Sequence, residues 1–223
     1  MTALMQKPFR TAFSHLANAR GNLSCWVSPR SQLVIDGFPR SANTYLHRII
    51  RAATPEGFRI AHHVHRPQQL AWAMDFGVPT FAVFRDPVEA ICSLLVRRPT
   101  FGIDRATTLY GQIANLSAQH GGVNGMRIVR FEDITAHPIA VTNAILADLS
   151  LDTSVTAELI AAATLDKDPN SATSSLPRPE RNALKDKVRG SVEVHPDIEN
   201  LQAAFADVTE NAWSKTVPAG QPQ

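Results

Sequence analysis

Residues 33 to 44, Leu-Val-Ile-Asp-Gly-Phe-Pro-Arg-Ser-Ala-Asn-Thr, hold the densest chemistry of the chain, because an apolar strand runs into a turn of small residues and then directly into a helix. Backbone N–H groups in such a turn, with the positive end of the following helix, converge on an anion without needing charged side chains. Gly37 and Thr44 stand at the spacing of the phosphate-loop pattern G-x-x-x-x-G-K-[ST], but Ala42 replaces the second glycine and Asn43 the lysine. The missing lysine argues against ATP hydrolysis. Arg40, early in the loop, moves the strongest positive charge to a different part of a bound anion.

A second group follows in Arg85-Asp86-Pro87-Val88-Glu89-Ala90-Ile91-Cys92-Ser93. Arg85 closes a predicted strand and Ser93 lies two turns into the next helix, so both side chains can face one phosphate near the carboxyl ends of the strands, where open α/β sheets bind ligands. A guanidinium offers a fork of donors matched to phosphate oxygens, and a hydroxyl adds a neutral donor. Taken alone, Arg85 can equally pair with Asp86 or Glu89. The combination with the first loop favours the phosphate.

The stretch Gly-Phe-Pro-Arg-Ser-Ala-Asn-Thr-Tyr-Leu at 37 to 46 resembles the 5′-phosphosulfate loop of the sulfotransferases that use 3′-phosphoadenosine 5′-phosphosulfate (PAPS), and Arg85 through Ser93 resembles their 3′-phosphate motif. Arg127-Ile-Val-Arg-Phe-Glu-Asp-Ile is similar to the strand and Tyr-Glu-Asp-Leu segment that follows in that family, so the likeness covers about residues 32 to 150. It implies a P-loop NTPase-like fold with PAPS as co-substrate and no metal. Ser41, Ala42, Asn43, Thr44 and Tyr45 would hold the 5′-phosphate; Arg85 and Ser93 would read the 3′-phosphate. Arg40 takes the position of a lysine that touches the oxygen bridging phosphate and sulfate. A catalytic histidine two residues before a proline in the family corresponds to His65-Arg66-Pro67, which makes His65 the expected base, with His63 in reserve. The basic run Lys185 to Gly190 resembles a segment that closes over the 3′-phosphate in some members, although a solvated charge run is its ordinary explanation.

Other residues read more plainly. His62 should point away from the side shared by His63 and His65, because adjacent strand residues face opposite ways, and strand geometry then lets only two of these three imidazoles converge. That disfavours zinc. Glu132 and Asp133 read as capping or pairing with Arg130, and Trp26, Trp72 and Trp213 as packing residues.

The elements that must position these groups alternate. Strands are predicted at Gln32 to Asp36, Phe58 to His63, Thr80 to Phe84 and Arg127 to Arg130; helices at Asn43 to Ala53, Pro67 to Phe76, Pro87 to Arg97 and Asp104 to His120. The pattern predicts an α/β fold, a parallel sheet flanked by helices. Beyond Glu132 helices follow one another at His137 to Leu149, Thr153 to Thr164 and Glu199 to Val208, forming a helical C-terminal part. Asp166 to Arg181, rich in Pro, Ser, Thr and Asn, is predicted as a mobile loop. Residues 1–217 form one expected domain and 218–223 a disordered tail.

The composition sets bounds. A chain of 223 residues with 44% hydrophobic content supports one sizeable α/β core. With 22 Lys and Arg against 20 Asp and Glu, the net charge of +2 gives no whole-protein case for nucleic acid. Cys25 and Cys92 show no disulfide or metal spacing, which fits reduced thiols. No window suits a secretory signal or a membrane span, so a cytoplasmic location is expected, with Phe9, Phe13 and Leu16 on a helix packed against the domain. The expected partner is a small-molecule or glycan-type hydroxyl acceptor. Two other readings stay open at this point: a P-loop kinase for a small metabolite, and a nucleotide-binding module without catalysis.

Overall fold

The structure, a computed structural model, describes residues 25–122, 125–165 and 179–217. Strands β1 (Leu33–Gly37), β2 (Ile60–His62), β3 (Thr80–Phe84) and β4 (Met126–Arg130) form a parallel sheet in the order β2-β1-β3-β4. Register is Ile35 with His62, Asp36 with Ala82, Gly37 with Val83, and Phe84 with Arg130. Because the chain passes from β1 out to β2 and back across to β3, the direction of winding reverses between β1 and β3. A crevice opens at the carboxyl ends of such a strand pair.

Helices α1 (Asn43–Ala53), α2 (Pro67–Phe76), α3 (Pro87–Arg97) and α4 (Ile103–His120) connect the strands. Then come α5 (Phe131–Ala136), α6 (Pro138–Asp148), α7 (Ala157–Thr164), α8 (Pro179–Glu193) and α9 (Ile198–Glu210). Successive strand residues feed opposite faces of the sheet, as the two-residue period requires. Val34, Ala82, Phe84 and Ile128 join a core with residues of α2, α3, α4 and α9, while Leu33, Ile35, Phe81, Val83 and Val129 join another with residues of α1, α6 and α7. The sheet is thus covered on both faces.

Three expectations change. β2 ends at His62, because His63 (φ 57°) and His65 (φ 54°) take the left-handed conformation and leave the ladder. The last three residues of the expected 166–181 loop begin α8 instead, and the basic run at 185–190 lies inside that helix. Phe131–Ala136 is an additional short helix. Residues 1–24, including Phe9, Phe13 and Leu16, the rest of the 166–181 loop, and the tail from Pro218 lie outside the described residues. Among the described residues no helix is long and apolar enough to cross a membrane.

Candidate active site

The loop after β1, Arg85 and Ser93, and the histidines at 62, 63 and 65 lie at the carboxyl ends of β1, β2 and β3. The loop after β1 is built from unusual backbone. Arg40 (φ 73°) and Ala42 (φ 67°) both lie in the left-handed region, at a cost of about 1 kcal/mol each for residues with a Cβ. Ala42 stands where the phosphate-loop pattern has glycine, and it keeps the conformation glycine would take. It is also the N-cap of α1, with no side-chain cap, so the first N–H groups of that helix lack an intrahelical partner.

Asn43, at the position of the missing lysine, is turned inward. It is 3% exposed and its Nδ2 donates to Phe38 O at 2.9 Å, closing the loop on itself. The Ser41 hydroxyl is buried with no hydrogen-bond partner among the described residues.

Across the crevice, Asp86 caps α3 by accepting the Glu89 N–H at 3.0 Å, with Pro87 in the first turn. Tyr110, fully buried on α4, donates its hydroxyl to Arg85 O at 2.7 Å and fixes the turn before α3. The two motifs then meet directly. Arg40 Nε donates to Ser93 Oγ at 3.1 Å, and Arg85 Nη1 donates to Arg40 O at 3.3 Å. The Arg85 guanidinium also lies 4.2 Å over the Phe131 ring.

Positive charge is concentrated here. Burial, then the nearby Arg97, Arg181 and Arg85, lower the Arg40 guanidinium to about 10. Glu89 is the counter-charge. It accepts from Arg85 Nη2 at 3.1 Å and from Lys185 Nζ at 2.9 Å, and it contacts Arg189 Nη2. Burial pushes the Glu89 carboxyl up, but hydrogen bonds from Lys185 and Arg189 outweigh it and bring it to about 2. The basic run of α8 therefore reaches the Arg85 region through a shared carboxylate. Arg97 and Arg181 had no motif to announce them.

The histidines form a second group. His63 Nε2 is 2.7 Å from Thr44 Oγ1, and its Nδ1 is 2.5 Å from His62 Nδ1. His47, on α1, stacks on His62 with ring centroids 3.7 Å apart. His62 thus faces His63 rather than turning away, since the left-handed turn at His63 breaks the strand alternation. Three imidazoles do converge, His47 being the one the sequence reading left out, with ligand atoms within 4.8 Å of one another. Both ring nitrogens of His63 are engaged, so Thr44, His63 and His62 form a hydrogen-bonded relay, with His47 stacked on its His62 end. Burial first, and neighbouring imidazoles second, lower His47 to about 3 and His63 to about 4; burial also lowers His62.

His65 stands apart from that relay. Its Nδ1 is 2.9 Å from both Asp36 Oδ1 and Gly37 O. Among the other candidates, Asp133 accepts from Ser214 Oγ at 2.6 Å and lies 3.9 Å from Arg130, while Glu132 lies 3.6 Å from Arg130. Trp26 packs on Trp72 and Trp213 on Phe81. Neither cysteine is in a disulfide, and Cys25 Sγ lies 4.0 Å from His62 Nε2.

A mouse sulfotransferase, SULT7A1, solved in complex with PAP, shares this architecture with a TM-score of 0.53. The match covers 86% of this chain and 89% of that one at 11% sequence identity. The likeness is one of fold. No family model matches the chain. No curated protein matches it either.

Proposed function

We propose that the protein is a sulfotransferase that moves a sulfuryl group from PAPS to a hydroxyl, or less readily an amine, by in-line displacement. The observation that carries this reading is the direct hydrogen bond between Arg40 and Ser93, which joins the loop after β1 to the second motif in one cationic crevice. A ligand with phosphates at both ends of a ribose suits two such sites side by side. The fold shared with a sulfotransferase complexed with PAP supports the same choice.

The residues present fit the donor. The uncapped start of α1, the amides of Ser41 to Tyr45 and the orphaned Ser41 hydroxyl suit the 5′-phosphate. Arg85 and Ser93 suit the 3′-phosphate, with Arg97 and Arg181 adding positive charge from nearby. Arg40 lies between the two sites and steadies the oxygen that leaves, as a preorganised guanidinium can.

The donor supplies the sulfuryl group: the acceptor oxygen bonds to sulfur while the bond from sulfur to the bridging oxygen breaks. His65 takes the acceptor proton. A kinase reading is disfavoured by Asn43, whose side chain points into the loop rather than toward a phosphate.

Calorimetric titration with adenosine 3′,5′-bisphosphate and, separately, with ATP and Mg²⁺ tests the reading. Saturable binding of the bisphosphate, with an accompanying rise in Tm, is expected. Preference for ATP would overturn it. A screen of hydroxyl and amine acceptors with labelled donor then identifies the second substrate.

A further inference from the structure

We propose that Asp36 is a positioning residue for proton removal by His65: it holds the imidazole as the Nδ1–H tautomer, so that Nε2 is the atom presented to the acceptor. This rests on the transferase reading above.

The Asp36 side chain is 1% exposed and sits one residue before the end of β1. Among the described residues its hydrogen-bonding neighbours are donors. Its Oδ1 accepts Gly37 N at 2.9 Å, its Oδ2 accepts Val64 N at 2.9 Å, and His65 N lies 3.1 Å and 3.2 Å from its two oxygens. The fifth contact is His65 Nδ1, 2.9 Å from Oδ1. The same Nδ1 lies 2.9 Å from Gly37 O, and a backbone carbonyl can only accept. With an acceptor-only carboxylate and an acceptor-only carbonyl as its neighbours, Nδ1 must carry the hydrogen. Among the described residues Nε2 has no hydrogen-bond partner, and the His65 side chain keeps 22% exposure.

The register explains why this carboxylate is in reach. Ile35 pairs with His62, so Asp36 is level with the point where the chain leaves β2. Its oxygens bind the two consecutive N–H groups of Val64 and His65 within the left-handed turn, and the ring of His65 is delivered to the same carboxylate. His63 has no free nitrogen, since Thr44 and His62 take both. One buried carboxylate thus sets the backbone, the ring orientation and the tautomer of His65, whose Nε2 has no hydrogen-bond partner among the described residues. A carboxylate in this role orients an imidazole without itself taking the proton.

The test uses the full chain labelled with ¹⁵N-histidine, His65 being assigned by comparison with His65→Gln. In mildly alkaline buffer the wild-type spectrum should show a protonated Nδ1 and a bare Nε2. In Asp36→Asn the ring should populate both tautomers, and turnover should fall at least about tenfold while bisphosphate affinity stays within about twofold. A wild-type ring protonated on Nε2 would overturn the proposal, as would an Asn variant that keeps the wild-type tautomer and turnover. If Asp36→Asn fails to fold, the wild-type tautomer decides alone. Failure of the bisphosphate to bind would instead remove the transferase reading and leave the tautomer assignment standing.

Discussion

Arg40 Nε donates to Ser93 Oγ at 3.1 Å, bridging a loop residue and a helix residue that are 53 positions apart in the chain. Each side chain holds the other in the crevice, so both should matter to the donor and neither should act alone. Ser93→Ala and Arg40→Gln are expected to weaken bisphosphate binding by about tenfold to a hundredfold each, the range for one lost charge-assisted hydrogen bond. The double variant should lose less than the sum of the two, because contacting residues are not additive. Calorimetric titration of the four proteins measures this. Full additivity would show that the bond does not persist when the site is used.

Glu89 gathers Arg85, Lys185 and Arg189 on one carboxylate and so fastens α8 to α3. Glu89→Gln leaves those cations facing one another beside Arg40, and should lower stability by about 1 to 3 kcal/mol. Added bisphosphate should restore much of that loss by supplying the missing negative charge. Because the Glu89 carboxyl lies at about 2, below the ordinary carboxylate range, its contribution is present above that range and is lost as pH falls toward about 2. Melting curves of both proteins, with and without ligand, test the point; a variant melting like the wild type would show the pairs to be inert.

The alternation of strands and helices through residue 120 was legible because proline marks the starts of α2 and α3 and each strand is a short apolar run with flanking breakers. The loop at 37 to 44 and the pair Arg85 and Ser93 were legible for a related reason: their chemistry is local. What stayed hidden depends on register and on three-dimensional partners. His47 looks like any polar residue on α1 until the strand end at His62 is placed against it. Asp36 reads only as the last residue of a strand until the turn at Val64 and His65 is seen to close on it. Helix α8 carries only a sparse apolar stripe, Val188 and Val192 reaching the core, and ion pairs with Glu89 add to its hold on α3.

The buried imidazoles give stability a definite pH dependence. His47 lies at about 3 and His63 at about 4 in the folded chain, against an unfolded value near 6.5. The unfolded chain therefore binds more protons below that value, so stability is fully present above about pH 6.5 and is lost as pH falls toward 4. The slope should be about 1 kcal/mol per pH unit for each histidine. Urea titrations from neutral to mildly acidic pH measure it. His47→Gln, which removes one such group, should flatten the curve; an unchanged slope would mean that the relay takes up protons while folded.

Two positions, one at the end of β1 and one in the loop that follows it, make opposite demands on the same small change. At Gly37 an added Cβ would lie 2.2 Å from Val83 O, a backbone atom of the adjacent strand, and neither strand can withdraw without opening the crevice. Gly37→Ala should cost about 3 kcal/mol or more and reduce soluble yield. At Ala42 the backbone already has the left-handed conformation, φ 67° and ψ 13°, so removing the Cβ relieves strain of about 1 kcal/mol while adding some freedom to the unfolded chain. Ala42→Gly should therefore stabilise by up to about 1 kcal/mol and leave bisphosphate affinity within about twofold. Denaturant unfolding of both variants gives the two signs in one experiment. A neutral Gly37→Ala would show that β1 and β3 do not approach this closely, and a destabilising Ala42→Gly would show that the loop does not rest in the left-handed region.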